Sequence, residues 1–270
     1  MKKEKRRLVS LLVLLVLALI SMNYHYLDNY MSGKFIETQK ETAIVVRVID
    51  GDTIEINRSG VKETVRLLGI NTPEKNESYY REAKQFINST LTGKEIFMER
   101  GTDDRDRYDR LLRYVFINGE AESINEKIIK EGFANYYFPS GYDGYSYKLI
   151  KAFDTCVSDN INFCKKSNDV CADCVELKEF NVKKQEVVIY NICNKECDIT
   201  SWSIKDEGRK KFIFENYVLS GKREVHIIAG SGKNGNDLLI WERSDYVWNN
   251  DHDTLFLRDD KDELVLYKRY

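Results

Sequence analysis

The amino-acid sequence predicts a mixed chain in two parts: a small five-stranded barrel of the Greek-key type carrying a few helices, then an all-β sandwich. Three observations predict it. From about Thr42 to Ser167, short strand-like runs alternate with a few segments of helical period. From about Val175 to Tyr270 the short runs continue between turn clusters, with no helical period. All six cysteines fall between Cys156 and Cys197, where the first pattern gives way to the second. At 270 residues, 42% of them hydrophobic and 12% aromatic, the chain is long enough for two cores.

Taken in order, residues 1–39 read as a signal or membrane anchor followed by a linker. Residues 1–7 hold five bases and one acid, and 8–22 form an apolar run broken only by Ser10 and Ser21. A basic flank before an apolar run is the pattern of an exported chain, whether the segment is cleaved or retained. The run is short against the roughly 20 apolar residues a full span needs. No cysteine precedes Cys156, which excludes a lipid-modified N-terminal cysteine. The expected location is therefore extracytoplasmic, secreted or anchored to the membrane by residues 8–22. The basic flank also masks acidity elsewhere: of a net charge of −2, it contributes +4 and the rest of the chain −6. Bulk positive charge therefore does not recruit nucleic acid here.

In the first part (42–167), strands are expected at 43–49, 53–56, 64–70, 95–99 and 112–117, and helices at 78–91, 124–131 and 146–158. Ser123 with Glu126 forms a capping box for the middle helix, and Gly132 is its stop. In the second part (176–270), strands are expected at 186–192, 211–214, 224–229, 238–241, 254–257 and 264–267. Turns separate them at Asp206-Glu207-Gly208, at 230–235 and at Asn249-Asn250. Gly230-Ser231-Gly232-Lys233 looks like a phosphate loop but lacks its first glycine and its Ser/Thr. In an exported protein the six cysteines predict three disulfides at the junction. The rival is zinc held by Cys171-x-x-Cys174 and Cys193-x-x-x-Cys197. On one continuous helix Cys156 and Cys164 would stand about 12 Å apart, too far to bond. Either the helix ends between them, near Asp159-Asn160, or they pair elsewhere.

Three segments of the first part carry chemistry. Asp50-Gly51-Asp52 reads as a hairpin turn that also sets carboxylates where a hard cation finds oxygen ligands. Arg66 interrupts an apolar strand, and Asn71-Thr72-Pro73-Glu74 follows its end, Pro73 fixing the turn. Asp106-Arg107-Tyr108-Asp109-Arg110 places arginine beside an aromatic, as a phosphate clamp with a base platform does. Taken singly, each also suits a solvated turn. Jointly they supply two guanidinium groups for a phosphate and a carboxylate to activate water. With only three histidines, hydrolysis cannot rest on histidine clusters.

These segments carry a resemblance. VIDGDT at 48–53, VRLLGINTPE at 65–74, DRYDRLLRYVFING at 106–119 and INEKIIKEGFA at 124–134 resemble, in order, the staphylococcal nuclease family. The resemblance implies an OB-type barrel with three helices and a Ca²⁺-dependent endonuclease acting on DNA and RNA. It makes Asp52, Asn71 and Thr72 (through its carbonyl) metal ligands, Arg66 and Arg110 the phosphate-binding arginines, Glu74 the general base and Tyr108 a nucleotide contact. Tyr136, Tyr137 and Phe138 fall where the family packs aromatics against substrate. Asn71 stands where the prototype has an aspartate; the lost charge predicts weaker Ca²⁺ affinity, which Asn71→Asp would restore. Asp109 replaces a glycine before Arg110, and the loop after Glu74 is shorter than the prototype's.

VVIYNICNKECDITSWSIKDEG at 187–208, VHIIAGSG at 225–232 and VWNNDHDTLFLRD at 247–259 resemble the lamin-tail domain, an immunoglobulin-like sandwich. His252 stands where that family usually has glycine. The resemblance implies tethering or binding of an unidentified partner, and the acids Asp251, Asp253, Asp259, Asp260 and Asp262 read as a surface that disfavours DNA. A monomeric exported nuclease is the first reading. The second is a catalytically weak or inactive OB-fold module of the cell envelope that binds nucleic acid or protein, and against it stand the retained Asp52, Arg66, Glu74 and Arg110.

Overall fold

Buried and exposed residues alternate along β1 (Glu41–Asp50), the first element of the computed structural model, which describes residues 41–270. The signal or anchor read at 8–22 and the linker after it lie outside the described residues. β2 (Thr53–Arg58) and β3 (Val61–Leu67) continue an antiparallel meander. β3 ends at a break, and Ile70–Asn71 forms a separate short β4. β5 (Glu95–Arg105) and β6 (Leu111–Ile117) complete a closed barrel of order β1-β2-β3-β6-β5, with β3 and β6 parallel. Closure leaves no free sheet edge, and Val45, Ile54, Ile56, Val65, Leu67, Ile96, Met98 and Val115 fill the interior. The fold expected for this part is the one found.

Three helices surround the barrel. α1 (Tyr80–Leu91) buries Ala83, Ile87 and Leu91, four residues apart on one face. α2 (Ile124–Lys130) has the full Ser123–Glu126 capping box. A two-residue strand, β7 (Asn135–Tyr136), pairs with β4. α3 (Ser146–Asp159) stops at Asn160, whose φ of 56° is left-handed, and a 3₁₀ turn at Asn162–Cys164 brings the chain back. The reversal shortens the Cα separation of Cys156 and Cys164 to 5.7 Å, and they are disulfide-bonded.

The second part is built from β8 (Val175–Asn181), β9 (Glu186–Asn191), β10 (Cys197–Asp198), β11 (Ser203–Lys205), β12 (Lys211–Ile213), β13 (Val218–Leu219), β14 (Glu224–Gly230), β15 (Leu238–Glu242), β16 (Thr254–Arg258) and β17 (Leu264–Arg269). One sheet has the order β15-β14-β9-β8 and the other β12-β11-β16-β17, enclosing Trp202, Ile204, Phe214, Val225, Ile227, Trp248, Leu255 and Leu257. β8 and β11 were not expected: the first has exposed charges between its apolar residues, and the second is only three residues long.

Residues 41–270 are one compact unit. Phe256 and Leu264 of the sandwich belong to the barrel's own apolar cluster. Phe153 of α3 meets Phe256 and Tyr267 edge-on, with centroids 5.6 and 5.4 Å away. The Tyr136 hydroxyl bonds Thr254 Oγ1 at 2.8 Å, and the Arg258 guanidinium lies 3.5 Å over the Phe163 ring. His252 Nε2 donates to the Phe138 carbonyl at 3.0 Å, so the histidine that departs from the family pattern is a contact between the two parts. The connecting residues pair with β17: Leu264 N donates to Lys165 O, and Ser167 N to Leu264 O.

Two sequence expectations are corrected. Asp253 and Asp259 are buried and serve as acceptors for Glu207 N, Thr254 N and Ser167 Oγ, so they form no acidic surface. Only two disulfides form: beside Cys156–Cys164, Cys174 bonds Cys193. That bond takes one cysteine from each zinc-like pair and leaves two sulfurs, too few for a structural zinc site. Cys171 and Cys197 are buried thiols in contact, and burial followed by the Cys197 hydrogen bond pushes the Cys171 thiol up to about 12.

Two measurements follow from this packing. Titrated with a thiol reagent at neutral pH, the folded protein is expected to be silent, and denaturation without reductant should expose two thiols; none after denaturation would mean a third bridge. The second concerns Asp206, which burial, reinforced by Asp253, pushes up from 3.8 to about 7. Its neutral form favours the fold fully below about pH 4, and that contribution is lost as pH rises through about 7. Asp206→Asn should therefore gain melting temperature on the wild type between about pH 5 and about pH 9. Parallel curves would sink the assignment.

Candidate nuclease site

The site is set by a break in a strand. The sequence reads as one strand through 64–70, but Gly69 adopts a φ of +68°, and a Cβ there would lie 2.3 Å from Leu149 Cδ1. Only glycine accepts both conditions. The turn separates β4 from β3 and carries Asn71 and Thr72 beneath the β1–β2 turn. There Gly51 is pressed on the Thr72 side chain, 2.9 Å from its Oγ1 to where a Cβ would stand. Asp50 and Asp52 flank that glycine, so two carboxylates and Thr72 gather at one end of the barrel.

Arg66 is not on a solvent face. Its side chain is largely buried, with Nη2 3.0 Å from Asp52 Oδ2 and 2.8 Å from the Ile70 carbonyl, and Nη1 on the Leu67 carbonyl. Burial pushes the guanidinium pKa down; Asp52 opposes this, and the nearby Arg110 and Arg209 add to it. Thr53 Oγ1 donates to Asp52 Oδ1 at 2.9 Å and lies 3.4 Å from Arg110 Nη1, linking both arginines through one carboxylate. Arg110 is aimed by Asp106, which accepts from its Nε at 2.7 Å and its backbone N at 3.0 Å. The turn needs a left-handed residue, and Asp109 supplies it at φ 63°, which accounts for glycine in the prototype. Tyr108 is exposed, its ring 5.5 Å from the Arg110 guanidinium carbon.

Glu74 lies in the turn before α1, its backbone N bonded to Glu77 Oε2 at 2.7 Å. It is no helix-capping acid. Its carboxylate meets Arg209 of the sandwich, Oε1 to Nη2 at 2.5 Å. Asn71, buried, donates from Nδ2 to the Gly208 carbonyl at 2.8 Å and the Glu207 carbonyl at 3.4 Å. Of the aromatic trio, Tyr136 and Phe138 are core residues, and Tyr137 is half-buried within the electrostatic influence of Arg66. Burial pushes its phenol up, Asp206 adds to this and Arg66 opposes it.

Sequence reasoning missed Asp50 and Arg209 as site residues. Asp50 was visible in the Asp-Gly-Asp turn. Burial raises its carboxyl pKa, the Gly51 amide opposing and Asp52 reinforcing the rise. Arg209 had no signal, since it sits in a turn cluster far along the chain.

A model of the staphylococcal nuclease homologue family matches residues 64–163. The thermonuclease of Staphylococcus hyicus is 31% identical over 142 residues, 49% of this chain and 83% of that protein. The chain belongs to the staphylococcal nuclease family. The thermonuclease of Staphylococcus intermedius is 28% identical over 169 residues, 60% of this chain and 99% of its own. Endonuclease YncB of Bacillus subtilis is 39% identical over 127 residues, 42% of this chain and 57% of its own. The Lamin Tail Domain model matches residues 168–269. The nuclease barrel is thus followed directly by a lamin-tail sandwich that reaches its site.

Among the described residues no group of three or more His, Cys, Asp or Glu is placed to hold a metal ion. The oxygen groups that the turn brings together are of another kind: the carboxylates of Asp50 and Asp52 flank Gly51, which packs on the Thr72 side chain. An all-oxygen set suits a hard divalent cation rather than a soft one.

The same contact sets a test at position 71. Aspartate there would turn an oxygen toward two buried carbonyls, so Asn71→Asp should destabilise the chelated protein by roughly 1–3 kcal/mol, measured by denaturant unfolding. Unchanged stability would show that Asn71 does not tie the two parts together.

Proposed function

We propose that the protein is an exported, Ca²⁺-dependent endonuclease that hydrolyses phosphodiester bonds of DNA and RNA. The observation that carries the reading is the connected group Arg66–Asp52–Thr53–Arg110, with Glu74 following Asn71 and Thr72 on the same segment. Asp52, Asn71 and Thr72, with Asp50 beside them, are the residues that would hold the cation, which would supply positive charge to the phosphate.

Arg66 and Arg110 bind the phosphodiester oxygens, each with a fork that remains charged and donates two parallel hydrogen bonds. Their present partners, Asp52 and Asp106, keep both guanidinium groups oriented until phosphate arrives. Glu74 accepts the proton of the attacking water, and the Tyr108 ring offers a face to the adjoining base or sugar. The net acidity of the chain is compatible with this, because the clamp is local and cations cluster within it. Residues 8–22 act as signal or anchor, the lamin-tail sandwich tethers the enzyme or binds a partner, and the protein works as a monomer.

A nicking assay tests the reading. Full-length chain is mixed with single- and double-stranded DNA and RNA, in Ca²⁺ or in chelator. Cleavage is expected only with Ca²⁺, and Glu74→Gln should lower the rate about 10²–10⁴-fold. A folded wild type that leaves every substrate intact would sink the enzyme reading in favour of a binding module.

A further inference from the structure

The turn between β11 and β12 is held from two sides. Within the sandwich, Asp206 N donates to Lys210 O, Lys210 N donates to Asp206 Oδ1, and Lys210 Nζ donates to the Tyr246 carbonyl at 2.6 Å. From the barrel, Asn71 donates to Gly208 O, and Gly208 packs on the Tyr137 ring, 3.2 Å from where a Cβ would stand. Arg209 lies between these anchors and reaches Glu74. Its side chain is 66% exposed and that of Glu74 45%, so the pair stands at the open mouth of the site. Exposed ion pairs add little to stability, which leaves the placement of this one to be explained by the site.

We propose that Arg209 is a positioning residue of the nuclease centre, contributed by the lamin-tail sandwich. The inference rests on the nuclease reading with Glu74 as base. Glutamate is a long side chain whose rotamers are unrestrained at a half-exposed position. Arg209 Nη2 holds it at Oε1, 2.5 Å away. The held, half-exposed carboxylate meets water in one geometry, which is the condition a general base must meet. The barrel on its own has the phosphate clamp but lacks the group that steadies its base.

The test is single-turnover and steady-state nicking of an oligonucleotide by the full chain, comparing wild type, Arg209→Ala, Arg209→Lys, Glu74→Gln and the Arg209→Ala/Glu74→Gln double variant. Arg209→Ala is expected to lower kcat about tenfold with KM little changed, and Arg209→Lys to recover part of the loss. In the Glu74→Gln background, removing Arg209 should cost nothing further. Equal losses in both backgrounds, a rise in KM alone, or a kcat unchanged or raised by Arg209→Ala would each overturn the proposal. Binding of the same oligonucleotide in chelator supplies a readout independent of turnover. Its salt dependence should be the same for wild type and Arg209→Ala; a slope reduced by roughly 0.7 would mark a phosphate contact instead and overturn the positioning role. A wild type that does not cleave overturns the nuclease reading and this inference with it. A cleaving wild type indifferent to Arg209 overturns this inference alone.

Discussion

The Glu207 and Gly208 carbonyls lie against the barrel, and a buried carbonyl must find a donor. Asn71 is that donor, and much of the architecture depends on the bond. An ionised aspartate in its place, as in the prototype, has no proton to give and would leave this seat for the sandwich without its donor. His252, the second departure, also spans the two parts through the Phe138 carbonyl. Two positions at which the chain leaves its family patterns are thus two contacts of one interface. The interface in turn decides where the 206–210 turn stands and which barrel residues face it.

The electrostatic design is local. Outside its basic start the chain is acidic, yet Arg110 and Arg209 both stand near enough to bear on the buried Arg66. Each has a carboxylate partner: Asp52, Asp106 and Glu74 respectively. A field assembled from such pairs is weak at a distance and strong on contact, when an anion takes over the guanidinium groups. This differs from a broadly basic surface, which attracts any polyanion from afar. The partly exposed arginines are also those most readily redirected, whereas Arg66 is tied to two backbone carbonyls and moves least.

Much of the fold was legible because its signals are local. The capping box at Ser123–Glu126 needs four residues, and the Cys156/Cys164 spacing alone forced the choice between an ended helix and other partners. The site motifs were legible in the same way, as short segments whose residue types suit one chemistry. What escaped depends on long-range packing. The Gly69 break is invisible within an apolar run, since nothing local says that Leu149 will lie against it. The aromatic run at 136–138 could not be divided into core and site until β7 fixed its alternation. Asp253 and Asp259 read as surface acids because charge is the local signal, while their burial depends on backbone donors from other turns. Arg209 is the extreme case, a turn residue whose importance comes wholly from a partner in the other part of the chain.

The way the connection closes bears on how the molecule is made. The segment leaving α3 is held by β17, and Lys165 pairs with Glu263, 98 residues farther on. A ribosome moving along the message completes every barrel strand, and with them the clamp, well before the strand that seats the connector exists. The joined state therefore forms after the barrel strands have been made, and it carries the loop-closure entropy of the entire sandwich. Assembly of the two parts therefore waits on β17, and a chain that stops before it lacks the strand that seats the connector.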